Sequence, residues 1–93
     1  MELHTYLTGV FFRPTTAKMI VAQLAVGDTL DLERDPDNPY DANAIAVYAE
    51  GEHLGFIPKE HNVDLAAAMD AGAEPICTVI SEDAKKPGLT VEF

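Results

Sequence analysis

Three histidines, His4, His53 and His61, the single cysteine Cys77 and the single serine Ser81 are the side chains best suited to nucleophilic or metal chemistry. The histidines form no His-x-x-x-His or His-Glu-x-x-His pattern, so no catalytic metal is expected. Ser81 adjoins Glu82 with no histidine near it in sequence, and no Ser-His-Asp arrangement follows from that. Cys77 lies in an apolar run and reads as a buried small hydrophobe. None of the glycines precedes a lysine and no Gly-x-Gly occurs, which argues against phosphate-cradling and dinucleotide loops. No enzyme and no cofactor are expected.

The densest polar constellation is Asp35-Pro36-Asp37-Asn38-Pro39-Tyr40-Asp41, with Asn43 just beyond. Its composition is that of a calcium loop, but Tyr40 stands where an EF-hand needs its turn glycine, and no glutamate closes the site. Asp and Asn in such a loop more often bond backbone N–H groups and stiffen the turn.

The elements that position this loop are short. Leu3 to Phe12 reads as a strand with a bulge at Gly9. A helix capped by Thr15 or Thr16 runs to about Leu24, with Met19, Ile20 and Leu24 on one face. Leu30 and Leu32 alternate with Asp31 and Glu33, giving a strand over Thr29 to Arg34 that enters the proline-bracketed loop. Ala44 to Ala49 and His53 to Ile57 flank Glu50-Gly51 as a β-hairpin. Asn62 is placed to cap a helix through Ala71, stopped by Gly72, with Val63, Ala66, Ala67 and Met69 available for burial. Pro75 to Ser81 and Leu89 to Phe93 complete the strands. Five or six strands with two short helices in so short a chain favour a mainly β, partly open barrel, which removes exposed sheet edges.

The chain has 93 residues, 47% hydrophobic and 24% charged. That length supports one core, so residues 1–93 are expected to form a single domain. No run approaches the ~18 apolar residues of a membrane span, and Met1-Glu2-Leu3-His4 lacks a signal-like start. With one cysteine, a cytoplasmic location is the expectation. Sixteen acidic residues against six basic ones give a formal charge of −10. Such a field repels polyanions at long range and argues against nonspecific duplex binding. Screening within about 8 Å still permits a local pocket of the opposite sign.

The run Gly27-Asp28-Thr29-Leu30-Asp31-Leu32-Glu33-Arg34, the loop through Asp41 and the following Ala42-Asn43-Ala44-Ile45-Ala46-Val47-Tyr48, then Leu54-Gly55-Phe56-Ile57-Pro58, resembles the HIRAN domain family. The likeness extends from Gly9-Val10-Phe11-Phe12-Arg13-Pro14 to the helix ending at Gly72. That family occurs as an N-terminal module of helicase-like remodelling proteins and as small free-standing proteins, and this chain looks like the second kind. The resemblance implies a modified OB-type barrel and a nonenzymatic nucleic-acid-binding module that holds the 3′-hydroxyl end of single-stranded DNA in repair or fork processing. A helicase or other repair protein is the partner it implies.

Carried over residue by residue, the resemblance assigns Tyr40 to stacking on the terminal base and Asp41 to accepting the terminal hydroxyl. A carboxylate accepts from a hydroxyl and repels a phosphate. Phe12 takes the place of a second stacking aromatic, Lys59 that of a phosphate-contacting lysine, and Asn38 that of an asparagine shaping the pocket. Phe11 and Phe56 stand where the DNA-binding member has an arginine and a histidine, and Phe56 joins Phe12, Asn38, Tyr40, Asp41 and Lys59 as the sixth DNA-binding residue that the resemblance implies. Read from the residues alone, Asn38 and Asp41 also fit a purely loop-capping role, and Phe11, Phe12 and Phe56 fit a core. The alternative function is a protein-interaction or oligomerising module that has lost DNA binding.

Overall fold

The computed structural model describes all residues from Met1 to Phe93. Six strands form one antiparallel sheet: β1 (Glu2–Tyr6), β2 (Thr29–Arg34), β3 (Ile45–Ala49), β4 (Glu52–Phe56), β5 (Ile76–Ser81) and β6 (Gly88–Glu92), in the order β1-β6-β5-β2-β3-β4. Helices α1 (Thr15–Ala22) and α2 (Val63–Asp70) follow β1 and β4. The architecture is mainly β with two helices, a curled half-barrel consistent with an OB-like fold.

The curl is completed by the chain just beyond β1. Thr8 forms an isolated antiparallel bridge with Phe56 at the end of β4, each N–H donating to the other's carbonyl at 2.9 Å. The two outermost segments of the sheet thereby meet, which satisfies backbone groups that an open edge would leave bare. Leu7, Ile45, Val47, Leu54, Leu65, Val79, Leu89 and Val91 lie fully buried inside, with Ala17 and Val21 of α1. The alternation in β2 holds, with Leu30 buried and Asp31 and Glu33 exposed.

The hairpin turn is built as its sequence suggests. Glu50 and Gly51 both have positive φ, 53° and 77°, the twist that a two-residue antiparallel turn prefers. Gly72 ends α2 at φ 102°: its N–H donates to the Met69 carbonyl, and Ala73 N–H reaches back to Ala68. Those two bonds make a Schellman stop, for which glycine is favoured.

Three local expectations are corrected. The strand after Leu3 ends at Tyr6, and Val10–Phe12 form a 3-10 turn entered through Gly9 at φ 81°. In α1 the residue at the cap position is Pro14, and the inward stripe is Ala17, Ile20, Val21 and Leu24, while Met19 is exposed. In α2 the buried side chains are Leu65 and Ala66, whereas Val63 and Ala67 face outward. In both helices small apolar residues made several faces plausible, and the sheet beneath selects one.

Candidate functional site

The loop between β2 and β3 is held by its own polar side chains. Asn38 Nδ2 donates to Asp35 Oδ2 at 3.1 Å, and Tyr40 N–H donates to Asn38 Oδ1 at 2.9 Å. Asp41 Oδ1 accepts from Asn43 N–H at 2.9 Å. The loop-stiffening role expected of Asp and Asn is therefore present, and it pushes Tyr40 outward, where the ring is 88% exposed.

Arg34, at the end of β2, clamps the same loop from behind. Its guanidinium donates to the carbonyls of Ala44 at 2.6 Å and Ala42 at 2.9 Å, and pairs with Asp70 at the end of α2 at 2.9 Å. The sequence reading passed over this residue. Its one signal was a lone arginine ending an otherwise acidic strand.

A cleft of about 280 Å³ opens beside the loop, lined by Thr8, Asn38, Tyr40, Asp41, Ala44, Phe56, Ile57 and Lys59. Five of the six expected site residues thus converge: Asn38, Tyr40, Asp41, Phe56 and Lys59. Lys59 stands on a 3-10 turn (Lys59–His61) begun by Pro58, directly after β4. Phe56 is half-buried; His53 meets it edge-on at 4.8 Å and stacks on Tyr48 at 5.1 Å. Burial, then the nearby Arg13 charge, pull the His53 imidazole below its ordinary pKa, and its Nε2–H donates to the Gly55 carbonyl. Thr8, Ala44 and Ile57 complete the lining and were not anticipated.

Phe12 does not line this cleft. It projects from the turn after Gly9, 83% exposed, edge-on to Phe11 at 5.3 Å. Phe11, Val10, Lys18, Ala84 and Lys85 border a separate hollow, with the Lys18 ammonium 5.3 Å from the Phe11 ring. Neither phenylalanine belongs to the core.

Asp41 is the charged centre of the first cleft. Its Oδ2 accepts from Asn62 Nδ2 at 2.8 Å, and that bond, followed by the Asn43 N–H, Lys59 and Arg34, holds the carboxyl below its usual range. Asn62, expected to cap α2, makes no side-chain cap bond. The arrangement offers an exposed ring, an ionised acceptor, a cation and an apolar floor within one opening.

A known family matches across the chain. The HIRAN domain profile covers residues 2–93. The chain belongs to the HIRAN domain family. The HIRAN domain of human HLTF superimposes with a TM-score of 0.79 at 28% identity, covering 97% of this chain and 72% of that one. A Lactobacillus plantarum protein solved in a structural genomics programme gives a TM-score of 0.88 at 26% identity, covering 98% of this chain and 91% of its own. No curated protein sequence matches. No helix of this HIRAN domain is long and apolar enough to cross a membrane.

Proposed function

We propose that this HIRAN domain is a nonenzymatic module that holds the 3′-hydroxyl end of single-stranded DNA, with residues 1–93 acting as one domain. The observation that carries the reading is the juxtaposition of exposed Tyr40 with charged Asp41 and Lys59 around a single cleft. A flat ring stacks on any base for about 1–3 kcal/mol. The carboxylate accepts a hydrogen bond from a free hydroxyl and repels a terminal phosphate, so an end is distinguished from an interior nucleotide. Lys59 neutralises a backbone phosphate, and Phe56 with Ile57 provides an apolar floor. Asn38 acts by orienting Tyr40, and Phe12, outside the cleft, meets the strand further along. A repair setting with a helicase-type partner goes with this reading.

Fluorescence titration of short labelled strands tests it. Strands ending in a 3′-hydroxyl should bind, 3′-phosphate strands should bind far more weakly, and Asp41→Asn should erase the difference. Equal affinity for both ends in the unaltered protein would refute the assignment.

A second reading, a protein-interaction module, is favoured by one observation: Phe11 and Phe12 are both more than three-quarters exposed on a strongly acidic domain. It predicts no response to oligonucleotides and a protein contact abolished by Phe11→Ser with Phe12→Ser. Light scattering on the purified chain would show whether that contact is with itself.

A further inference from the structure

Asn62 occupies the N-cap position of α2, where an asparagine ordinarily accepts a hydrogen bond through its side-chain oxygen from an N–H of the first turn. Here it makes no such bond. Its backbone lies at φ −97°, ψ −10°, helical rather than extended, and the side chain turns away from the helix end. The residue is 1% exposed, Nδ2 donates to Asp41 Oδ2 at 2.8 Å, and Oδ1 is buried with no donor. The orientation of the amide follows from chemistry: facing a carboxylate, only the N–H end attracts.

Two costs are accepted at this position, an unmade cap and a bare buried acceptor, and both are local to Asn62. With the backbone already helical at this residue, its side chain is not presented to the N–H groups of the first turn, so capping does not account for the asparagine. What the arrangement supplies is a fixed carboxylate. With Oδ1 held by Asn43 N–H and Oδ2 by Asn62, the plane of Asp41 is locked on the cleft wall. The remaining lone pairs are left for a ligand.

We infer that Asn62 is a positioning residue, which forgoes capping α2 in order to orient the Asp41 carboxylate for a hydroxyl donor in the cleft. The ligand part rests on the function proposed above; the orienting part does not. The other charged groups that act on Asp41 are Lys59 after β4 and Arg34 at the end of β2, and both favour its ionised form. Asn62 differs from them in being a neutral donor in direct contact, so its effect resists salt while theirs is screened.

The test is a carboxyl carbon NMR titration of the full chain, with Asp41→Asn used to assign the signal. Asp41 should titrate below the ordinary carboxylate range in the unaltered protein and move up in Asn62→Ser, whose hydroxyl is too short to reach Asp41. Should the serine variant fail to fold, Asn62→Asp keeps the shape, exchanges the donor for a second acid and should drive Asp41 higher still. In the binding arm, Asn62→Ser should weaken 3′-hydroxyl strands roughly three- to tenfold, the scale of one ordinary hydrogen bond, because Asp41 keeps the Asn43 N–H. It should leave the weak 3′-phosphate affinity unchanged. An Asp41 titration unaltered by both substitutions would overturn the inference. If the unaltered protein ignores oligonucleotides of either kind, the proposed function falls, while the titration still decides the positioning role.

Discussion

No side chain fits at Gly55, because the carbonyl oxygen of Thr8 fills the space where its Cβ would stand. That approach is the Thr8–Phe56 bridge, which joins the two outermost segments of the sheet and forms one wall of the cleft. It gives a physical reason for the glycine in Gly55-Phe56-Ile57-Pro58. Gly55→Ala is expected to destabilise the domain by about 1–3 kcal/mol through overpacking and loss of the bridge. Urea unfolding would measure this; an alanine variant as stable as the parent would show that the bridge yields easily.

Tyr40 is exposed and supports nothing beneath it. Tyr40→Ala should leave the melting temperature close to that of the parent, since surface changes usually stay within about 0.5 kcal/mol. The same change should remove about 1–3 kcal/mol of affinity for single strands. A variant that lost stability in place of affinity would reassign Tyr40 to the scaffold.

Arg34 and Asp70 form one ion pair but should respond unequally to mutation. Asp70 is well exposed, so Asp70→Ala removes a surface partner worth about 0–1 kcal/mol. Arg34 is mostly buried and also serves the Ala42 and Ala44 carbonyls. Arg34→Ala leaves the Ala44 carbonyl with the Asp35 N–H and the exposed Ala42 carbonyl to water, so the loss is that of the charged hydrogen bonds themselves, about 1–3 kcal/mol in all, and it should loosen the Tyr40–Asp41 loop. Paired denaturation curves decide the order, and equal losses would confine the role of Arg34 to its salt bridge.

Acid should weaken the fold in two stages. The depressed His53 pKa means that its contribution is complete above the imidazole's ordinary value of 6.5 and is lost as pH falls from there through the lower folded value. Asp41 acts later, contributing above its ordinary 3.8 and losing that contribution as pH drops through its lowered folded value. Denaturation midpoints between about pH 7 and 5 should decline in the parent and stay flatter in His53→Phe, which retains an aromatic ring beside Tyr48 and Phe56. Parallel declines would place the first stage elsewhere.

Cys77 is buried in β5, and burial pushes its thiol up to about 12. The thiolate is the reactive form, so a disulfide reagent should label the native domain only as fast as it unfolds. Immediate labelling at neutral pH would contradict the burial.

The periodicities and turn residues of this chain were sufficient, by themselves, to define β2, the β3–β4 hairpin about Glu50-Gly51, the helix stop at Gly72 and a stiff polar loop from Asp35 to Asp41, while the choice of Tyr40 and Asp41 within it came from the family resemblance. Each of those depends on residues within a few positions of one another, where backbone preferences act directly. Other features required the folded chain. Asn62 and Asp41 lie 21 residues apart, and the position of Asn62 rightly marked the start of α2 but not that its buried amide bonds Asp41 behind the cleft. Arg34 reaches across 36 residues to Asp70. Gly55 is required by the carbonyl of Thr8, and Phe12 stands off from the cleft because Gly9 turns the chain before it. A sequence pattern records which face of an element is apolar, but which polar groups meet across elements is set by how the sheet curls and where its edges close.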